Sequence, residues 1–238
     1  MTTLEVTIEV NYRRVRERIE AAAIRSGRDP GSVALVGVTK YAEIEWAQGL
    51  ARLGATELGE NRPQQLVQRA RQIDGGVHWH LIGPLQRNKV RSILPLTTLI
   101  HSVDSLRLLE TIDRIAHEID LRPRVLIEVN LSGEIAKHGF QATDLLDQWD
   151  DALKFQRVQI EGLMTMAAYS PDPEAARPAF ARLCELKDQL RARTSGAAAE
   201  RLTHLSMGMT GDFEVAIEEG ATIVRIGSAL WEGLASDG

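Results

Sequence analysis

The run Val33-Ala34-Leu35-Val36-Gly37-Val38-Thr39-Lys40 reads as a short apolar strand that ends on a lysine. Its length and its valines favour a strand over a helix. Seven more runs of this kind follow: Ala55 to Leu58, Val77 to Ile82, Thr98 to Val103, Val125 to Val129, Ile160 to Met166, His204 to Met207 and Thr222 to Ile226. Helical patterns fill most of the gaps. Val15, Ile19, Ala22 and Ala23 place one helix before the first strand. Leu106, Leu109, Asp113 and Ala116 mark another, with Ser105 as its N-cap, and Phe180, Leu183, Cys184 and Leu190 mark a long one. Leu53-Gly54-Ala55-Thr56 and Glu219-Gly220-Ala221-Thr222 both read as helix end, left-handed glycine, then strand. Eight strands, each followed by helical or turn-like sequence, predict an α/β chain forming one domain over 1–238, a parallel (β/α)8 TIM barrel with an extra N-terminal helix. The third connection, Pro84 to Pro95, is short. A doubly wound open sheet competes, but the sequence carries neither GxGxxG nor GxxxxGK[ST].

Composition narrows the function classes. Lys plus Arg number 28 against 33 Asp plus Glu, a net charge of −5, and there is no basic block to suit nucleic acid. The single cysteine, Cys184, excludes a disulfide framework. The first residues lack the pattern of a signal peptide, and no apolar run approaches the ~18 residues of a membrane span. The expectation is a cytoplasmic protein that needs no membrane. Only 5 lysines stand beside 23 arginines, so a lysine in an unusual place carries extra weight.

In a barrel, chemistry collects at the C-terminal ends of strands. With period two, Val36, Val38 and Lys40 share a face, so Lys40 is expected at the mouth, in a partly dry recess. A desolvated amine is more often neutral, and a neutral amine attacks an aldehyde to give a Schiff base. On the eighth strand, Arg225 stands between apolar neighbours and needs a strong acceptor, either a carboxylate or a ligand. Gly227-Ser228 then offers backbone N–H groups and a hydroxyl at the start of an expected final short helix. Ser206-Met207-Gly208-Met209-Thr210-Gly211-Asp212 supplies a second such turn before a helix beginning near Asp212. Two such turns on the closing strands suit a phosphate. His78 and His80 invite a metal reading, that of a barrel hydrolase, but Arg225 stands where such a site wants an acid. Asn61 either contacts a ligand or caps the next helix. Met164 by residue type is core filler. The basic turn holding Arg87, Lys89 and Arg91 reads as a solvated face.

Six ordered strings, taken together, resemble the pyridoxal phosphate homeostasis protein family. They are Val38-Thr39-Lys40, Gly59-Glu60-Asn61, Trp79 through Lys89, Gly162-Leu163-Met164, Leu205-Ser206-Met207-Gly208-Met209 and Arg225-Ile226-Gly227-Ser228. The resemblance implies a barrel of the alanine-racemase type (fold type III among pyridoxal phosphate proteins) that binds pyridoxal 5′-phosphate (PLP). It implies that Lys40 holds the cofactor as a Schiff base. Ser206, Gly208, Gly227 and Ser228 would grip the phosphate, Arg225 would face the pyridine nitrogen, and Asn61, His80 and Met164 would line the ring. Two places depart from the family pattern: Thr210-Gly211, and Lys137-His138-Gly139.

Racemisation needs a base on each face of the bound substrate. Racemases of this type take the second base, a tyrosine, from another domain of a partner subunit. Here only eleven residues follow Gly227, and Tyr12, Tyr41 and Tyr169 are the only tyrosines. An arginine at the pyridine nitrogen also weakens the electron sink that carbanion chemistry uses. The expectation is therefore a monomeric PLP carrier in vitamin B6 homeostasis, with no catalytic residue, no metal and PLP-dependent apoenzymes as recipients. A racemase of narrow specificity and a metal hydrolase built on His78 and His80 are the alternatives.

Overall fold

The computed structural model describes residues 2–73, 76–131 and 138–234. Its elements alternate as the patterning predicts: α1 (Thr3–Arg25), β1 (Ala34–Val38), α2 (Ile44–Arg52), β2 (Glu57–Glu60), α3 (Pro63–Gln72), β3 (His78–Leu81), α4 (Val90–Ile93), β4 (Leu99–Val103), α5 (Leu106–Glu118), β5 (Arg124–Glu128), α6 (Ala142–Asp147), α7 (Trp149–Ala152), β6 (Gln159–Met164), α8 (Arg177–Arg193), α9 (Gly196–Arg201), β7 (His204–Ser206), α10 (Phe213–Glu218) and β8 (Ile223–Ile226). The strands form a closed parallel barrel in sequence order. β1 closes it against β8 in register, from Ala34 opposite Ile223 to Gly37 opposite Ile226.

Period-two alternation divides each strand between two cores. Val36, Leu99, Leu126, Met164 and Ile223 meet inside the barrel as a small apolar layer. Their neighbours Leu35, Leu58, Trp79, Val125, Leu163 and Val224 face outward, into the larger core beneath the helices. The third connection is short as expected, a 3-10 turn at Arg87–Lys89 running into α4. Two expectations fail. The second strand is shifted two residues later than its apolar run suggested, because Glu57 is a usable interior residue once His78 and His80 stand opposite it. No helix follows Gly227. Residues 228–230 form turns, stitched by Leu230 N–H to the Gly227 carbonyl at 2.9 Å and Trp231 N–H to that of Ser228 at 3.2 Å.

The extra N-terminal helix starts at a capping box between Thr2 and Glu5. It buries Ile8, Val15, Ile19, Ala22 and Ala23. Arg18 lies over the Phe213 ring at 4.7 Å and pairs with Glu214 at 3.1 Å, fixing α1 on α10. Buried Asn11 donates to the carbonyls of Leu230 (3.1 Å) and Glu232 (2.9 Å). Trp231 donates its indole N–H to the Val38 carbonyl at 2.9 Å, so helix and first strand together hold the turn that follows β8. Among the described residues no helix is long and apolar enough to cross a membrane.

Candidate functional site

Lys40 lies two residues past the end of β1, at the barrel mouth, and it is exposed. The expected dry recess is absent around it. Its ammonium stands 5.0 Å from the ring centre of Tyr41, itself 78% exposed. Thr39 is anchored below. Its hydroxyl donates to the Glu60 carboxylate at 2.8 Å, and its N–H to the Gly59 carbonyl at 2.9 Å. Glu60, wholly buried, also accepts from Asn61 N–H (3.0 Å) and pairs with Arg69 Nε at 2.8 Å. Arg69 in turn donates to the Ala42 carbonyl at 2.5 Å. A buried ion pair on β2 and α3 thus braces both sides of the Lys40 turn.

Asn61 is half-buried against Gly83, where an added Cβ would fall 2.1 Å from the Asn61 carbonyl oxygen. Only glycine permits that approach.

The turn after β8 sits beside β1, where an added Cβ on Gly227 would touch Val38 at 3.4 Å, and the turn after β7 lies on the other side of β8. Ser228 is exposed. Gly208 has φ +92° and lies where a Cβ would meet Ala216 at 2.6 Å, so this turn requires glycine. Among the described residues, the N–H groups of Thr210, Gly211, Ser228 and Ala229 donate to nothing. They are donors free to meet an anion. The helix beginning at Asp212 contributes less than expected. α10 has six residues, and the Asp212 carboxylate already accepts from Met209 N–H at 2.6 Å. Burial raises the Asp212 carboxyl above its ordinary range.

Four residues expected at the ligand, Met164, His80, Ser206 and Arg225, are buried. Met164 is fully buried in the inner apolar layer. His80 is buried and Ser206 has no exposure, because both belong to a row of hydrogen bonds inside the barrel. Arg225 donates to Ser206 Oγ at 2.6 Å and to the Thr165 carbonyl at 3.0 Å. Ser206 Oγ lies 2.8 Å from His101 Nδ1, His101 Nε2 lies 2.8 Å from His80 Nδ1, and His80 Nε2 lies 2.6 Å from Glu57. The other Glu57 oxygen meets His78 at 2.6 Å, so the paired histidines bracket a carboxylate at the N-terminal end of the barrel. Glu57 and Arg69 were not singled out in the sequence, and His101 entered only the metal reading, beside His78, His80 and His204. Arg69 is one of several polar residues in its helix, and His101 sits in an apolar run like any core residue.

Burial opposes ionisation of Glu57, but hydrogen bonds from His80 and His78 outweigh it and hold the carboxyl at about 2. Burial, then the charges of His80, Arg225 and His204, keep His101 well below the usual imidazole range. Burial lowers Arg225 to about 10, against the pull of Asp212 and Glu128. Glu128, at the end of β5, is pushed up to about 7 by burial and by the charge of Asp104, which His138 and Arg225 oppose.

Glu128 gives a pH signature. Folded, it keeps its proton up to about 7, whereas the unfolded side chain releases it near 4.5. Stability is therefore greatest below that lower value and falls as pH rises through the window. Glu128→Gln should flatten the slope of unfolding free energy between pH 5 and 8; an unchanged slope would place its origin in another group.

The profile of the alanine racemase N-terminal domain matches residues 7–234. A pyridoxal phosphate homeostasis protein of Aquifex aeolicus is 41% identical over 219 residues, covering 92% of this chain and 94% of that protein. The chain belongs to the alanine racemase N-terminal domain family. PipY of Synechococcus elongatus PCC7942, solved with PLP bound, is 34% identical at a TM-score of 0.78, covering 91% of this chain and 99% of that one. An alanine racemase of Clostridium difficile shares the fold at 17% identity and a TM-score of 0.75, and this chain covers 58% of it. The family match spans the whole closed barrel seen here. Lys137 lies outside the described residues.

Proposed function

We propose that this chain binds pyridoxal 5′-phosphate at the barrel mouth and serves its homeostasis, as a carrier rather than a catalyst. The observation that carries the reading is one exposed primary amine, Lys40, just past the end of β1, whose barrel neighbour β8 ends in a turn with free N–H groups. PLP supplies an aldehyde, which the Lys40 amine takes as a covalent partner. The N–H groups of Ser228 and Ala229, the Ser228 hydroxyl and the turns at Gly208 and Gly227 receive the phosphate. Arg225 presents donors to the pyridine side, held from beneath by Ser206. Asn61, fixed by Gly83, borders the ring. Met164 and His80 support this floor without being open to a ligand.

An exposed amine suits exchange better than a sealed one does, because an incoming amine on a recipient apoenzyme can reach the bond. The protein works in this reading as a cytoplasmic monomer that hands its cofactor on. Absorption spectra with and without added PLP, before and after borohydride reduction, test binding directly. Ser228→Ala should weaken PLP affinity about tenfold or more, since a hydrogen bond to a charged group contributes roughly 1.5–3 kcal/mol. Equal affinity would move the phosphate elsewhere. Deuterium exchange at Cα across a panel of amino acids, at rates of ~1 s⁻¹ or more, would make the protein an enzyme instead.

A further inference from the structure

The row of hydrogen bonds under Arg225 joins the mouth to the opposite end of the barrel, and its direction can be worked out. A guanidinium has donors only, so Ser206 Oγ accepts from Arg225. The one hydrogen on Ser206 is then left for His101 Nδ1. A His101 that accepts at Nδ1 carries its proton on Nε2 and donates it to His80 Nδ1. His80 likewise carries its proton on Nε2 and gives it to Glu57. Every hydrogen points from Arg225 toward Glu57, and both imidazoles are neutral. The opposite direction needs an extra proton on the His80–Glu57 pair and strands the Ser206 hydrogen without a described acceptor.

Around the row stand His78 on Glu57, and His204 with Arg124 and Glu161 at the lower end of the interior. Among the described residues no carboxylate pairs directly with Arg225. The negative charges that act on it from a distance are those of Asp212 and Glu128.

We propose that His101 is the positioning residue for Arg225: acting through Ser206, it completes a one-way neutral row that clamps the guanidinium and leaves its remaining N–H groups to an acceptor on the ligand. The row polarises Ser206 Oγ, which strengthens its hold on the arginine. A carboxylate in direct contact would hold Arg225 as firmly, but it would compete with the ligand for the same donors. This role rests on the reading of the mouth as a PLP site, whereas the direction of the row does not.

Nitrogen-15 NMR of the PLP-free protein at pH 8 tests the row on its own. Both His80 and His101 should be neutral with the proton on Nε2; a proton on Nδ1 of His101, or a charged ring there, overturns the proposal. With PLP added, His101→Phe should shift the absorption maximum of the bound cofactor and weaken its affinity about tenfold, while Lys40 still traps it. His101→Gln, whose amide can accept from Ser206 and donate to His80, should restore both. An unchanged spectrum and affinity in a folded His101→Phe protein overturns the proposal, and should that variant fail to fold, the tautomers decide. A wild-type protein that traps no cofactor would instead overturn the reading of the mouth, with the NMR result standing apart.

Discussion

Lys40→Ala is expected to give a folded protein that yields no borohydride-trapped PLP. The side chain is exposed and its described contact is with the Tyr41 ring, so its loss should change stability by no more than ~0.5 kcal/mol. Covalent capture needs a primary amine at the mouth, and no other described lysine offers one. Lys89 lies in the third connection, Lys154 pairs with Asp151, and Lys187 pairs with Asp188. Reversible binding should persist in the mutant through the free N–H groups of the closing turns, visible as a cofactor that dialyses away. Mass spectrometry after reduction provides the check. Undiminished trapping in the mutant would show that another amine holds the cofactor.

Arg69→Met should be the most damaging substitution for stability. It strips Glu60, a carboxylate with no exposure, of its counter-charge, and breaking a buried ion pair from one side costs about 3–5 kcal/mol. For a chain of this size that is roughly 10 °C in Tm. Adding Glu60→Leu to Arg69→Met should recover much of the loss, because the pair is then replaced by apolar groups and no charge is left alone. The double mutant would lack the grip on Thr39 and Ala42, so the Lys40 turn should loosen even where global stability returns. Chemical denaturation of the two variants measures this. A single mutant less than 1 kcal/mol below wild type would mean that Glu60 finds water or another partner.

The barrel was legible because its signal is local. Alternation in Val33–Val38 or Thr222–Ile226 needs no knowledge of distant residues, and eight such runs in order leave few topologies. The position of Lys40 at a strand end was legible for the same reason. Its environment was not, since period two says which way a side chain points but not whether anything covers it. Met164, read from its type as core filler, does lie in the inner layer. The burial of His80 and Ser206 was not legible, because depth along a strand leaves no mark in its alternation. The histidine row joins β2, β3, β4, β7 and β8, with partners up to 105 residues apart between His101 and Ser206. No short-range pattern encodes such a row, because each member is explained equally well as an isolated buried polar residue.

The pairing of β1 with β8, secured by Trp231 on the Val38 carbonyl, bears on how the chain reaches its final form. During synthesis the first strand is made early, yet its neighbour on one side leaves the ribosome almost two hundred residues later. For most of translation one side of Ala34–Val38 is an open edge of the kind that recruits foreign strands. α1, already complete and able to lie across that region, is well placed to shield the nascent sheet until closure. Deleting it should therefore lower the yield of soluble protein more than it lowers the stability of the molecules that finish folding.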